Sequence, residues 1–203
     1  ELTNRFPPKE HTVSNEVVLK VEGLTALYSH LKDVSFELKK GEILGVAGLD
    51  GSGRTELLEN LFGIATRKSG KLYKNGVRIH NRAPQESIAN GLAMVTEERR
   101  ATGIFSILDV RSNTVISCLK KCRSDKLLHL SNRKMQQKTQ WSVDRMRIKT
   151  PSLSTKIRAL SGGNQQKVIL GRWLLTDPEI FLMDEPTRGI DVGAKYEIYQ
   201  III

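Results

Sequence analysis

The chain reads as an α/β protein with a mostly parallel core sheet, an antiparallel β subdomain and a helical insert subdomain. Three observations lead there. The apolar run Ile43-Leu44-Gly45-Val46-Ala47 ends on a glycine-rich loop and is followed by helix-spaced leucines. A second apolar run, Ile180-Phe181-Leu182-Met183, ends on Asp184 and Glu185, as a core strand does when it carries acids to the edge of a parallel sheet. Between them, from about Val110 to Met146, the pattern turns helical and polar.

The elements follow in order. Residues 1–16 contain Pro7 and Pro8 with little apolar content and read as a linker. Val17–Val21 reads as a strand and Gly23–His30 as a turn region. Val34, Phe36 and Leu38 alternate with Ser35 and Glu37, which predicts a half-buried antiparallel strand. Ile43–Ala47 reads as a strand covered on both faces. Leu57, Leu58, Leu61 and Phe62 recur at helical spacing, and Gly63 is placed to end that helix. Ser69–Ile79 reads as a hairpin around Asn75-Gly76. Leu92–Val95 is a short strand running into Glu97-Glu98-Arg99-Arg100. The insert, about 101–160, is expected to bury Trp141, Val143 and Met146. Residues 17–203 form one domain around these parts.

Bulk properties narrow the classes. The chain has 203 residues, 39% hydrophobic and 27% charged, ordinary values for a soluble domain with a real core. The net charge is +10 and aromatics are 5%. The charge reads as spread along the chain, without an arginine-rich arm or aromatic-interleaved basic strand, so no nucleic-acid partner is expected. Weak attraction to an anionic membrane face fits equally well. Cys118 and Cys122 read as free packing thiols, and His11, His30, His80 and His129 lack ligand spacing. No apolar stretch is long enough to span a bilayer. The chain starts on Glu1 and stops on Ile201-Ile202-Ile203, so a fragment of a longer polypeptide is expected.

The loop Gly48-Leu49-Asp50-Gly51-Ser52-Gly53-Arg54-Thr55 resembles a phosphate-binding loop. Glycines let successive backbone N–H groups approach phosphate oxygens, the following helix adds its positive end, and Thr55 offers a hydroxyl to magnesium. Arg54 stands where the motif has lysine, and a planar fork is not equivalent to a compact ammonium. Guanidinium still pairs well with oxyanions. The expectation is nucleotide binding with poor hydrolysis. Downstream, Asp184 is the candidate magnesium ligand, and Glu185 the candidate general base for the attacking water.

Leu160-Ser161-Gly162-Gly163-Asn164-Gln165 completes the set. A serine-capped helix start explains Ser161, but not the two glycines after it. The loop, this signature, the Asp184-Glu185 pair and Gly189-Ile190-Asp191 together resemble the ATP-binding domain of ABC transporters, from about Val17 to the end of the chain. The fold implied is a P-loop NTPase of ABC type. Val95-Thr96-Glu97-Glu98-Arg99-Arg100, Ser161 to Lys167 and Asp184 to Gly193 are similar to the C-terminal half of tandem sugar-importer ATPases. So are Arg5-Phe6-Pro7 and Met146 to Pro151.

That resemblance implies ATP and Mg2+ as cofactors. On this domain the implied nucleotide positions are Tyr28, Gly48, Asp50, Gly51, Ser52, Gly53, Arg54, Thr55 and Glu56. Tyr28 would stack on adenine, or else pack on its own strand. Thr55 and Asp184 would hold the metal. Glu97 falls where most relatives carry a glutamine sensing metal and water, and adds negative charge to the acidic site. Ser161, Gly162, Gly163 and Asn164 would contact ATP held by the other half. The implied partners are the N-terminal nucleotide-binding half of the same polypeptide, transmembrane permease subunits and, indirectly, a periplasmic or lipid-anchored sugar-binding protein. The helical insert would receive a cytoplasmic helix of the permease, or else be a solvated arm. The location implied is the cytoplasmic face of the bacterial inner membrane. Alone, the domain would be monomeric and nearly inactive. Two other readings stay open: a soluble ABC ATPase of translation or DNA-repair type, and a non-catalytic nucleotide-binding regulatory module.

Overall fold

The computed structural model describes residues 6–8, 12–124 and 129–203. Part of the expected linker, with Arg5 and His11, lies outside them. The chain divides into two compact units.

One unit comprises Lys9–Met94 with Glu179–Asp184. Its main sheet is four-stranded, in the order β2-β1-β3-β4, built from β1 (Val17–Ala26), β2 (Val34–Lys39), β3 (Arg67–Lys74) and β4 (Val77–Ile79). All three pairings are antiparallel. β1 runs through the expected turn at Gly23, because the ladder absorbs it as a bulge. The register with β2 shifts between Val21 and Leu24, Gly23 takes φ 58, and its N–H donates to Ser35 Oγ at 2.9 Å. Leu19, Val21, Leu24 and Leu72 form the buried face, the period-2 pattern of a one-sided sheet. The hairpin turns at Asn75-Gly76, both at positive φ.

Helix α1 spans Arg54–Phe62. It ends where expected, on Gly63 in a left-handed conformation; a Cβ there would come within 2.8 Å of the Asn81 carbonyl and the Ala83 nitrogen. A short helix α2 (Pro84–Ala89) leads to β5 (Leu92–Val95), which pairs with β6 (Ile180–Met183) in a second sheet.

Ile43–Ala47 departs from its expected form. It pairs in no ladder among the described residues, and Ile43, Leu44 and Val46 are exposed. A parallel strand needs neighbours on its flanks to satisfy its backbone and cover its faces. Here the apolar strands β5 and β6 pair with each other.

The other unit comprises Val95–Pro178 and Glu185–Ile203, with Glu1–Pro8. A single π-type turn at Arg99–Gly103 precedes α3 (Val110–Val115), a 3-10 turn at Ile116–Cys122 and α4 (Asn132–Arg145). Then come α5 (Gly162–Leu174) and α6 (Val192–Ile202). Asp109, Ser131, Ser161 and Asp191 each cap a helix with a side-chain oxygen. Val115, Cys118, Cys122 and Leu175 form a buried cluster, and both cysteines are free thiols, as expected. Met146 is buried, but Trp141 is 48% exposed, contrary to expectation. The covered face of α4 carries Thr139 and Ser142, so Trp141 falls on the other side. Buried Lys167 is neutralised by Glu197 at 2.5 Å. Phe6 packs on Tyr199 with ring centroids 5.2 Å apart.

The net charge is not spread along the chain. Residues 101–160 hold 13 Lys and Arg against 3 Asp and Glu, which equals the whole +10. The remainder is balanced. Among the described residues no helix is long and apolar enough to cross a membrane.

Candidate functional site

The glycine loop enters α1 through Gly53, at φ 95 and ψ 14, with no side-chain capping hydrogen bond. Glycine tolerates this left-handed geometry without steric cost. Gly53 itself has no side-chain oxygen to offer the positive end of the helix, a start of the kind that binds anions. Gly48, Asp50, Gly51 and Ser52 are exposed, and the Ser52 N–H donates to the Leu49 carbonyl at 3.0 Å. A Cβ at Gly48 would lie 2.3 Å from Ser52 Oγ, so a side chain there would displace the Ser52 hydroxyl. Arg54 donates to Asp50 Oδ1 at 3.3 Å, a solvent-exposed pairing of small energetic weight.

Thr55 Oγ1 donates to Asp184 Oδ2 at 2.7 Å across 129 residues of sequence. Asp184 is 6% exposed. A hydroxyl and a buried carboxylate in contact, beside an uncapped helix start, form a hard-oxygen donor set of the kind magnesium takes. Negative charge is dense here: burial, then Glu56, then Asp184 raise the Glu59 carboxyl above its ordinary range. Tyr28 is 91% exposed; its ring does not pack on its own strand and is open for stacking.

The remaining positions belong to the other unit. Ser161 caps α5, and Asn164 closes back on it, with Nδ2 donating to Ser161 Oγ at 2.9 Å. Asn164 Oδ1 also accepts from the Lys149 N–H at 2.8 Å. Gly163 is required by close packing, since a Cβ would sit 2.5 Å from the Ala194 Cβ on α6. Glu185 follows the β6 carboxylate at φ 41, a left-handed value for a non-glycine residue. Its carbonyl accepts from the Arg188 N–H at 2.9 Å.

Glu97 is expected to add negative charge to the acidic site. Instead its carboxylate is ion-paired with Arg188 Nη1, which also lies 3.8 Å from Glu98 Oε1. Sequence reasoning missed Arg188, Arg99 and Gln165 as members of this cluster. The one available signal was the run of two acids and two arginines at 97–100. Among the described residues no group of three or more His, Cys, Asp and Glu side chains is placed to hold a metal ion.

A glycine loop on a helix start, a hydroxyl–carboxylate pair and a serine-capped double-glycine helix are the parts of an ATP-binding cassette. The model of the family described as "ABC transporter" matches residues 31–188, and the chain belongs to that family. Three similar proteins are galactose/methyl galactoside import ATP-binding proteins MglA. Those of Fusobacterium nucleatum and Pasteurella multocida are 57% identical, and that of Vibrio vulnificus 56%, each over 100% of this chain and 40% of the relative. The chain therefore spans about 40% of the length of these relatives. Solved structures share the fold. A nucleotide-free ATP-binding cassette gives a TM-score of 0.77 at 22% identity, over 92% of this chain and 76% of that one. A dimeric post-hydrolysis cassette bound to ADP and Pi gives 0.74 at 20%, over 91% and 81%.

Proposed function

We propose that this chain is the C-terminal nucleotide-binding half of a tandem ATPase that drives import of galactose or methyl galactoside through a membrane permease. The observation that carries the reading is the Thr55–Asp184 hydrogen bond beside the uncapped start of α1. The relatives' import function gives it context. The loop of Gly48, Asp50, Gly51, Ser52, Gly53, Arg54, Thr55 and Glu56 binds the phosphates of ATP, with Tyr28 on the adenine. Thr55 and Asp184 would hold magnesium, which supplies positive charge to the phosphates when bound. Glu185 is the candidate base toward the attacking water.

The two halves meet head to tail. Ser161, Gly162, Gly163 and Asn164 complete the ATP site of the N-terminal half, their backbone N–H groups and the start of α5 facing its γ-phosphate. The site built on Arg54 turns over slowly and chiefly helps closure. Closure moves the helical insert against the permease, and loss of the γ-phosphate releases it. The working location is the cytoplasmic face of the bacterial inner membrane, with a sugar-binding protein delivering substrate on the other side.

The test is ATP-driven uptake of galactose and methyl galactoside by the full complex carrying Gly162→Asp or Glu185→Gln. The first variant abolishes uptake and the second reduces it less. Equal loss in both, or survival of Gly162→Asp, would sink the asymmetric assignment. Uptake of neither sugar by the unmodified complex would remove the substrate.

A further inference from the structure

Arg99 joins three segments. Its Nε donates to Gln165 Oε1 at 3.2 Å, and its Nη1 donates to the Arg188 carbonyl at 3.4 Å. Gly162 makes room for it, because a Cβ there would stand 3.0 Å from Arg99 Nη2. Gln165 is itself fixed and buried: its Nε2 donates to the Leu160 carbonyl at 3.0 Å and the Ile157 carbonyl at 3.3 Å. Arg188, whose backbone Arg99 holds, binds Glu97 with its side chain. Arg99 also opens the π-type turn, in which the Ile104 N–H donates to its carbonyl at 3.0 Å. Turns of this kind are rare and concentrate at functional sites. A guanidinium satisfies both acceptors from one rigid plane, which an ammonium does not.

We propose that Arg99 is a positioning residue that clamps the start of the signature helix to the Arg188–Gly189 segment and, through the Arg188–Glu97 pair, makes the signature move as one piece with this half's own nucleotide-sensing loop. On the composite-site reading above, on which this rests, the signature serves ATP on the N-terminal half. The clamp then couples the occupancy of one site to the geometry of the other. The coupling is physical, because Glu97, Arg188, Arg99 and Gln165 form an unbroken chain of polar contacts.

The experiment uses the full tandem polypeptide with its permease in lipid nanodiscs and reads ATP turnover, KM for ATP and Tm. Arg99→Gln lowers kcat about 10- to 100-fold by misplacing the signature, leaves KM within about twofold because the loops that first bind ATP are untouched, and shifts Tm by less than about 3 °C. Arg99→Lys fails to restore kcat. Combining Arg99→Gln with Glu97→Gln slows turnover no further than the slower single variant, as expected of residues acting as one unit. Unchanged kcat in Arg99→Gln, a parallel collapse of kcat and Tm, or multiplicative losses in the double variant would each overturn the clamp. Gly162→Asp is run alongside. If it keeps full turnover, the composite-site reading has failed; if it is inactive while Arg99→Gln is normal, only the clamp has.

Discussion

Replacing Arg172 by methionine should weaken the helical unit by about 3 kcal/mol. Arg172 is buried in α5, and burial draws its guanidinium down to about 10. It donates to the Asn113 carbonyl at 2.6 Å, the Gly103 carbonyl at 2.7 Å and Asn113 Oδ1 at 3.1 Å. Its guanidinium lies 5.8 Å from the centre of the Phe105 ring. The three acceptors do not suffer equally. Asn113 Oδ1 keeps a partner, the Phe105 N–H at 2.9 Å, so two carbonyls lose a charged donor. Each unsatisfied buried acceptor costs about 1–3 kcal/mol, and relief from desolvating the cation offsets part of that. The remainder, about 3 kcal/mol, lowers Tm by roughly 6–12 °C for a domain of this size. Differential scanning fluorimetry of the full polypeptide measures it. A shift below about 2 °C, under what even 1 kcal/mol gives, would mean that these carbonyls find other donors and that Arg172 does not hold the π-type turn to α5.

Other outcomes follow from the same geometry. On the tandem arrangement proposed, Arg54→Lys should raise ATP turnover at the Arg54 site, measured with the N-terminal site disabled; no gain would refute the assignment of slow turnover to the arginine. Burial, then the neighbouring Cys122, push the Cys118 thiol up to about 11 from an ordinary 9.0. Cys118 should therefore resist alkylation at pH 8 in the folded protein and react once it is unfolded. Between about pH 9 and 11 the unfolded chain loses this proton while the folded one keeps it, so the contribution to stability falls as pH rises. Mass spectrometry after iodoacetamide treatment and unfolding curves across that range check both. Gly163→Ala drives a methyl toward the Ala194 Cβ and should destabilise by about 1–3 kcal/mol; an unchanged Tm would show that α5 and α6 part freely.

The antiparallel sheet was readable because its signals are local. Alternation in Val34–Leu38, Asn75-Gly76 at the hairpin and Gly63 after the leucines each specify their element without distant help. Ile43–Ala47 was not, since an apolar run becomes a ladder strand only when neighbours arrive on its flanks, and that is a property of the whole sheet. Trp141 failed for a related reason: a large aromatic invites burial, but the covered face of α4 is lined by Thr139 and Ser142. The candidate site divides in the same way. Phosphate loop, signature and acids announce themselves by spacing, whereas the Thr55–Asp184 contact spans 129 positions. The Arg188 pair that neutralises Glu97 depends on two loops folding toward each other. No periodicity reports that, and it reverses the sign of the argument from Glu97, from surplus charge to a fixed joint.

Glu185 carries the strain of the segment that follows β6. A glutamate at φ 41 holds a conformation that glycine adopts without cost, at an expense of about 1–3 kcal/mol. Glycine at this position would relieve that strain and remove the carboxylate. On the function proposed, this strained backbone sets the direction in which the candidate base Glu185 leaves the chain after β6.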